Sequence, residues 1–459
     1  MPRYAKIIAS VAIIVLIALW AVLPTRFDVT SPRLGMPAIV QHGDTVTLSI
    51  RTSTPFWRPQ WQVWLARRGK RVPITTPHVT TQFNTATLAF SIPAALGNGA
   101  YSLIVSDGDR DQERPKALHV VEEFPGQISI VQMADLPTLG GNGEGDRQLQ
   151  QIINEINIIN PNLVLMTGDV AYGGHWDQYE RLLAAMADIN APVIAAPGNH
   201  EYEGWAGYLT LLGKPYHSVR YGKLQIINLN SGHGRDQLTE TQYAWLQHTL
   251  QQRDGRIPLV QIHHPLFHRP PLHGFLVNHV QDVAALVKQT GTPIVLSGHW
   301  HGDAVYDEAG RDRRDTWNFP GTPYVVTTTA GADLRKPYSS SPLHHGYRLI
   351  RLDHGKLTSY TYDMDGDGRR DPTSSIPMGN LHSEQQDNRS ARLENQLHED
   401  FPRARAVIEV PGNEPDLVPD IGHIAERYQA DNTTLYVIEL ALPANSRRDI
   451  HLRAADQTP

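Results

Sequence analysis

Five short apolar runs, each ending in side chains suited to metal binding or acid–base work, occupy the middle of this chain and limit what it can fold into. Asp135 closes the first run and Gly168-Asp169-Val170-Ala171-Tyr172 the second. Gly198-Asn199-His200-Glu201 follows the third, Val260-Gln261-Ile262-His263 completes the fourth, and Gly298-His299-Trp300-His301 follows the fifth. Short apolar runs bounded by turn residues predict buried strands. In open α/β sheets, reactive side chains lie beyond the carboxyl ends of such strands. Carboxylate, amide, imidazole and phenol groups delivered this way are the ligands that a pair of hydrolytic metal ions requires.

The text between the runs supports the same architecture. Apolar residues recur at helical spacing from Leu149 to Ile159, Asn160-Pro161 ends that helix, and Leu163-Val164-Leu165-Met166 follows as a strand. Before Gln127 the pattern differs. Residues 27–122 hold short alternating stretches such as Thr45-Val46-Thr47-Leu48-Ser49-Ile50 and Tyr101-Ser102-Leu103-Ile104-Val105, separated by Gly and Pro, which predicts an Ig/fibronectin-III-like β-sandwich. Residues 1–26 contain the uncharged apolar stretch Ile7 to Leu23 behind Arg3 and Lys6. This reads as an export signal, either an uncleaved anchor or a cleaved signal peptide, with the rest of the chain on the periplasmic or extracellular side.

Composition removes several function classes. A chain of 459 residues with 40% hydrophobic content can fill more than one core. Its formal net charge of -6 gives no basic field for nucleic acid, and with 0 cysteines it has no disulfide, thiolate metal site or cysteine nucleophile. No P-loop, nucleophile elbow or dinucleotide fingerprint is present, and no protein partner can be inferred.

The ordered set D, G-D-x-x-Y, G-N-H-E, V-x-x-H, G-H-x-H resembles the calcineurin-like metallophosphoesterase superfamily, and in particular its purple acid phosphatase branch, over residues 127–363. Tyr216-His217-Ser218 to Asn228-Leu229-Asn230-Ser231 and Gln242-Tyr243-Ala244-Trp245-Leu246 resemble the connecting text of that family. The resemblance implies a four-layer α/β/β/α sandwich. It implies one metal held by Asp135, Asp169, Tyr172 and His301, and a second held by Asp169, Asn199, His263 and His299, with Asp169 bridging. Most of the superfamily carries D-x-H in the first motif, whereas this chain reads Asp135-Leu136-Pro137, and Tyr172 stands in for the missing imidazole. A phenolate is a hard anionic ligand, so the resemblance implies Fe(III) beside Zn, Fe or Mn. It also implies that a hydroxide held between the ions attacks a phosphate ester in line.

His200 is the leading candidate for the proton donor, with Glu201 expected to orient it; His273 falls where the purple branch has a substrate-pocket histidine, and His264, His268 and His279 compete with it. The most direct reading is a phosphatase. A phosphodiesterase on nucleotides or on lipid and envelope phosphoesters is the alternative, and a degenerate surface adhesion protein is the reading from another class.

Residues 363–388 open with Asp363-Met364-Asp365-Gly366-Asp367-Gly368-Arg369-Arg370-Asp371. Asp363, Asp365, Asp367 and Asp371 fit the first part of a calcium loop, but Ser374 stands where an EF-hand has its bidentate glutamate, so a structural, non-helical calcium loop is expected. Ser375 to Asn388 reads as a linker or an exposed loop and Arg447-Arg448-Asp449 as an exposed turn. Residues 389–459, with alternation at Ala404 to Val410 and Thr434 to Leu442, read as a small C-terminal β domain.

Overall fold

The computed structural model describes residues 27–55, 57–75, 77–136, 144–232, 237–268, 272–412 and 417–455. The apolar segment Ile7 to Leu23 lies outside them. Among the described residues no helix is long and apolar enough to cross a membrane.

Two six-stranded sheets form the centre. In the first, Gln127–Met133, Leu163–Thr167 and Val193–Ala196 run parallel, and Gly346–Asp353 and Lys356–Ser359 extend the sheet antiparallel. In the second, Leu224–Leu229, Ile257–Ile262, Val295–Ser297 and Tyr324–Val326 are parallel, flanked by His217–Tyr221 and Ala304–Tyr306. Side chains alternate across a strand, so each strand serves two cores. Ile130, Leu165 and Ile194 of the first sheet share a cluster with Ile226, Leu259 and Leu296 of the second. On the outer face of the first sheet, Val131 and Met166 pack under the helices Glu144–Ile159 and Trp176–Asp188. On the outer face of the second, Ile227, Val260 and Val295 pack under Glu240–Gln251 and Val280–Thr290. The helix predicted from Leu149 onward begins five residues earlier, at Glu144.

The N-terminal region consists of a four-stranded and a five-stranded sheet, joined by a core that includes Leu48, Leu88, Val63, Leu65 and Leu103. It reaches the central region through Gly35, whose carbonyl accepts the Ala195 N–H at 2.9 Å. That contact covers part of the free edge of the Val193–Ala196 strand.

At the C-terminus, Leu381–Asp387, Ser390–Asn395, Ser446–Ala454 and Leu417–Pro419 make one sheet, and Phe401–Pro411, Thr433–Leu442 and His423–Ala430 another. Two expectations fail here. The stretch expected as a linker supplies the strands Ile376–Pro377 and Leu381–Asp387, and Arg447 to Asp449 lie inside a strand rather than a turn. In both places polar residues occupy strand positions: Leu381–Asp387 forms a hairpin with Ser390–Asn395, which also pairs with the distant Ser446–Ala454.

Candidate metal centre

The centre assembles where strands of both sheets end. Asp135 follows Gln127–Met133, Asp169 follows Leu163–Thr167, Asn199 follows Val193–Ala196, His263 follows Ile257–Ile262, and His299 and His301 follow Val295–Ser297. Backbone geometry turns these side chains inward. Asp135 (φ 51°), Asp169 (φ 51°), His299 (φ 71°) and His301 (φ 53°) all adopt the left-handed conformation that side chains disfavour. Such strain gathers at functional sites, where the surroundings enforce it. Two glycines make room: a side chain at Gly198 would strike the Asp169 carboxylate, and one at Gly298 would strike Ala134 and the Asp135 carboxylate.

His263 Nδ1 donates to the Thr167 carbonyl at 2.9 Å, which leaves Nε2 of the neutral ring as a bare lone pair. That atom lies 3.2 Å from Asp169 Oδ2, 3.2 Å from Asn199 Oδ1 and 3.2 Å from His299 Nδ1. Four electron-rich atoms facing one another repel unless positive charge lies among them, and one proton cannot serve them all. On the other side, His301 Nδ1 donates to the Asp333 carbonyl at 2.6 Å, and Nε2 points at Asp135 Oδ1 at 3.3 Å. Asp135 Oδ2 accepts the His299 N–H at 2.8 Å, while Oδ1 is buried with no hydrogen-bond partner. His263 Nε2 is 4.0 Å from that orphaned oxygen, so the two halves adjoin. Carboxylate, amide and imidazole atoms presented this way fit a pair of cations. The carbonyls of Thr167 and Asp333, bonded to the far ring nitrogens, orient the rings, as metal-ligating histidines require.

Electrostatics agree with this geometry. Burial pushes the Asp169 carboxyl up, but His263 and His200 outweigh it and hold it well below the usual carboxylate range. Burial pushes the His263 imidazole down, and Asp169 with Asp135 more than reverses this. His299 is held well below its ordinary value by burial and by neighbouring His264 and His263. The site thus gathers positive charge onto its carboxylates, and a bound cation would take the place of the proton on His263.

The other expected residues fall into distinct positions. His200 opens a 3₁₀ turn; its N–H donates to Asp169 Oδ1 at 3.0 Å, and its Nε2 lies 3.9 Å from Asp169 Oδ2 with the side chain 30% exposed. Glu201 does not orient it. Glu201 is fully buried and accepts N–H bonds from Asp169 (3.1 Å), Ala171 (3.0 Å) and Gly198 (2.5 Å), tying two strand-end loops together. Tyr172 is 52% exposed, its ring stacks on His200 at 4.6 Å, and its phenol makes no hydrogen bond among the described residues. His273 is exposed, and its carbonyl accepts the Trp300 indole N–H at 3.0 Å, which ties its backbone to the loop of His299 and His301. His268 stacks on Phe275 at 3.6 Å, and His279 caps a helix beside Tyr243 and Glu240.

Three placements were not foreseen. His264 is buried 4.2 Å from the His299 ring and is joined to Ser231 Oγ at 2.5 Å. The Asp333 carbonyl has no side-chain signature, and the exposed Arg335, whose guanidinium reaches the His299 carbonyl at 3.5 Å, lies far along the sequence. Away from the centre, Asp363, Asp365 and Asp367 bring carboxylate oxygens within 4.8 Å of one another, and Asp371 caps the same loop through the Met364 N–H at 2.7 Å.

Residues 128–303 match the family described as Calcineurin-like phosphoesterase. A probable cyclic nucleotide phosphodiesterase from Synechococcus sp. is 27% identical over 205 residues, 40% of this chain and 78% of the relative. A 3',5'-cyclic adenosine monophosphate phosphodiesterase from Haemophilus influenzae is 29% identical over 222 residues, 45% of this chain and 74% of the relative. A glycerophosphodiester phosphodiesterase from Enterobacter lignolyticus is 25% identical over 128 residues, 25% of this chain and 46% of the relative. These relatives are named as phosphodiesterases, not as purple acid phosphatases. The converging Asp and His side chains stand on strand ends of the region, residues 128–303, that is similar to the calcineurin-like phosphoesterases.

Proposed function

We propose that this protein is a dinuclear metal-dependent phosphodiesterase whose ligands are Asp135, Asp169, Asn199, His263, His299 and His301. The observation that carries the reading is the meeting of Asp169 Oδ2, Asn199 Oδ1 and His299 Nδ1 at His263 Nε2, beside the orphaned Asp135 Oδ1. Bound cations would neutralise the phosphoryl oxygens and acidify a water at neutral pH. The chain supplies the rest. Asp169 would hold a cation together with His263, Asn199 and His299, Thr167 and Asp333 hold the rings in their ligating tautomers, and Glu201 keeps the loops in register. His200, partly exposed over Asp169, would hold a proton for the departing alkoxide.

The diester reading rests on the relatives, which are named for acting on cyclic nucleotides and on glycerophosphodiesters. A purple acid phosphatase centre would place the Tyr172 phenolate on a ferric ion. The exposure of Tyr172 and its stacking on His200 favour divalent ions at both positions. The two facing sheets with helices outside them support a four-layer α/β/β/α sandwich, preceded by an Ig/fibronectin-III-like sandwich. The loop at Asp363, Asp365, Asp367 and Asp371 keeps its reading as a structural calcium site.

The deciding experiment compares bis(para-nitrophenyl) phosphate with para-nitrophenyl phosphate, before and after chelation and on return of Mn or Zn. Faster hydrolysis of the diester, abolished by chelator and restored by metal, is the expected result. Preference for the monoester would return the phosphatase reading, and a metal-loaded protein inert on both would identify a degenerate binding module.

A further inference from the structure

A second site lies wholly outside residues 128–303 and does not depend on the phosphodiesterase reading. A cavity of about 580 Å³ opens between the N-terminal sandwich and the C-terminal sheet, within the size range of small-molecule sites. One wall is the hairpin of Gln62–Arg67 and Lys70–Pro73, which brings Arg67, Arg68 and Lys70; the other is His423–Ala430, which brings Arg427 and Tyr428. None of the cavity's lining residues is acidic. The adjoining carboxylate is Glu426, and both Arg67 Nη2 (2.7 Å) and Arg68 Nη2 (2.6 Å) bind its single oxygen Oε2. Among the described residues, Arg67, Arg68 and Lys70 stand against that one carboxylate, which leaves a local surplus of positive charge in a chain of formal net charge -6.

The guanidinium groups are held in place, which lowers the ordering cost of gripping an anion. Arg68 lies 3.2 Å over the Tyr428 ring and Arg67 5.8 Å over Tyr101, whose hydroxyl donates to the Gly97 carbonyl at 2.7 Å. Lys70 is exposed at the mouth and makes no ion pair among the described residues. Fixed guanidinium forks with a mobile ammonium at the rim are donors for oxyanions, and charge-assisted bonds of this kind are the strong ones.

We propose that this inter-domain cleft binds a multiply charged phosphate-bearing anion, either a soluble polyphosphate or the headgroups of an anionic membrane. Two probes separate the sources: sodium tripolyphosphate in calorimetric titration, and phosphatidylglycerol vesicles in cosedimentation, with phosphatidylcholine vesicles as the neutral reference. The full chain is compared with Lys70→Glu and with the double variant Lys70→Glu/Arg427→Glu. The expected result is saturable binding of at least one probe that weakens as KCl is raised. The affinity falls at least tenfold in the double variant and less in Lys70→Glu, with melting temperature and phosphodiester hydrolysis unchanged. Tripolyphosphate can also reach the metal centre, but both proteins share that centre, so the difference between them reports the cleft. Equal affinity in the double variant, or no binding of either probe by the unaltered protein, overturns the proposal. If the double variant loses melting temperature, Lys70→Glu alone decides: an unchanged affinity there also overturns it.

Discussion

His200 is the side chain on which the chemistry of the centre turns, because it is the imidazole beside Asp169 that stays open to solvent. His200→Ala should slow diester hydrolysis by about a hundredfold while metal content stays at the unaltered level; rates and elemental analysis on one preparation check this, and an undiminished rate would reject the role. Tyr172 offers a second test at the same scale. The metal-loaded protein should be colourless, and a visible charge-transfer band that disappears in Tyr172→Phe would restore the ferric reading. The candidate ligands were legible in the sequence because each strand end carries its own chemistry-bearing side chain. Glu201 was misread for a physical reason: next to His200 in sequence it looks like its partner, but the turn sends it into the protein to meet three N–H groups from two loops.

Among elements, the Glu144–Ile159 helix shows how a local pattern conceals a distant dependence. Leu149, Ile152, Ile153, Ile156 and Ile159 recur at helical spacing and seal it to the first sheet. Glu155 is on the same helix and fully buried, accepting a hydrogen bond from the Tyr347 hydroxyl at 2.8 Å and one from the Gly379 N–H. Burial pushes its carboxyl up to about 7 against an ordinary value near 4.5. A raised folded value means that the folded state binds the proton more tightly. Its stabilising contribution is therefore complete below about pH 4.5 and is lost as pH rises through 7, a change of about 3 kcal/mol. Glu155→Gln keeps the shape of the neutral acid and should flatten that part of the stability profile in denaturant titrations between pH 4.5 and 8. An unaltered slope would show that Glu155 is charged throughout.

For the whole molecule, the C-terminal sheets are part of the catalytic core rather than an appendage. Leu381, Leu393, Ala404 and Ile408 share one cluster with Ile152, Ile156 and Met166, and the Glu144–Ile159 helix packs against Phe401–Pro411 and Leu381–Asp387. Truncation after residue 379 would strip that helix on one side. Each large apolar side chain so exposed costs about 1.5–3 kcal/mol, and several together exceed the 5–15 kcal/mol that holds a typical domain. The truncated protein should lose its cooperative thermal transition, which calorimetry would detect. A stable, active truncation would show that the first sheet and its helices suffice.

The sequence by itself determined which candidate ligands stand at the strand ends, because strand ends, glycine turns and ligand types are all written in short stretches. It also determined the alternating β regions on either side and the helical stripe, since periodicity is a local property. Only the tertiary structure decided which lone pairs meet, which carbonyls orient the rings, and where Glu201 points. It alone joined the C-terminal sheets to the catalytic helix and brought Arg67, Arg68 and Lys70 to Arg427, some 360 residues away. Periodicity fixes which face of an element is buried; what lies against that face depends on pairings between distant segments, which no local stretch encodes.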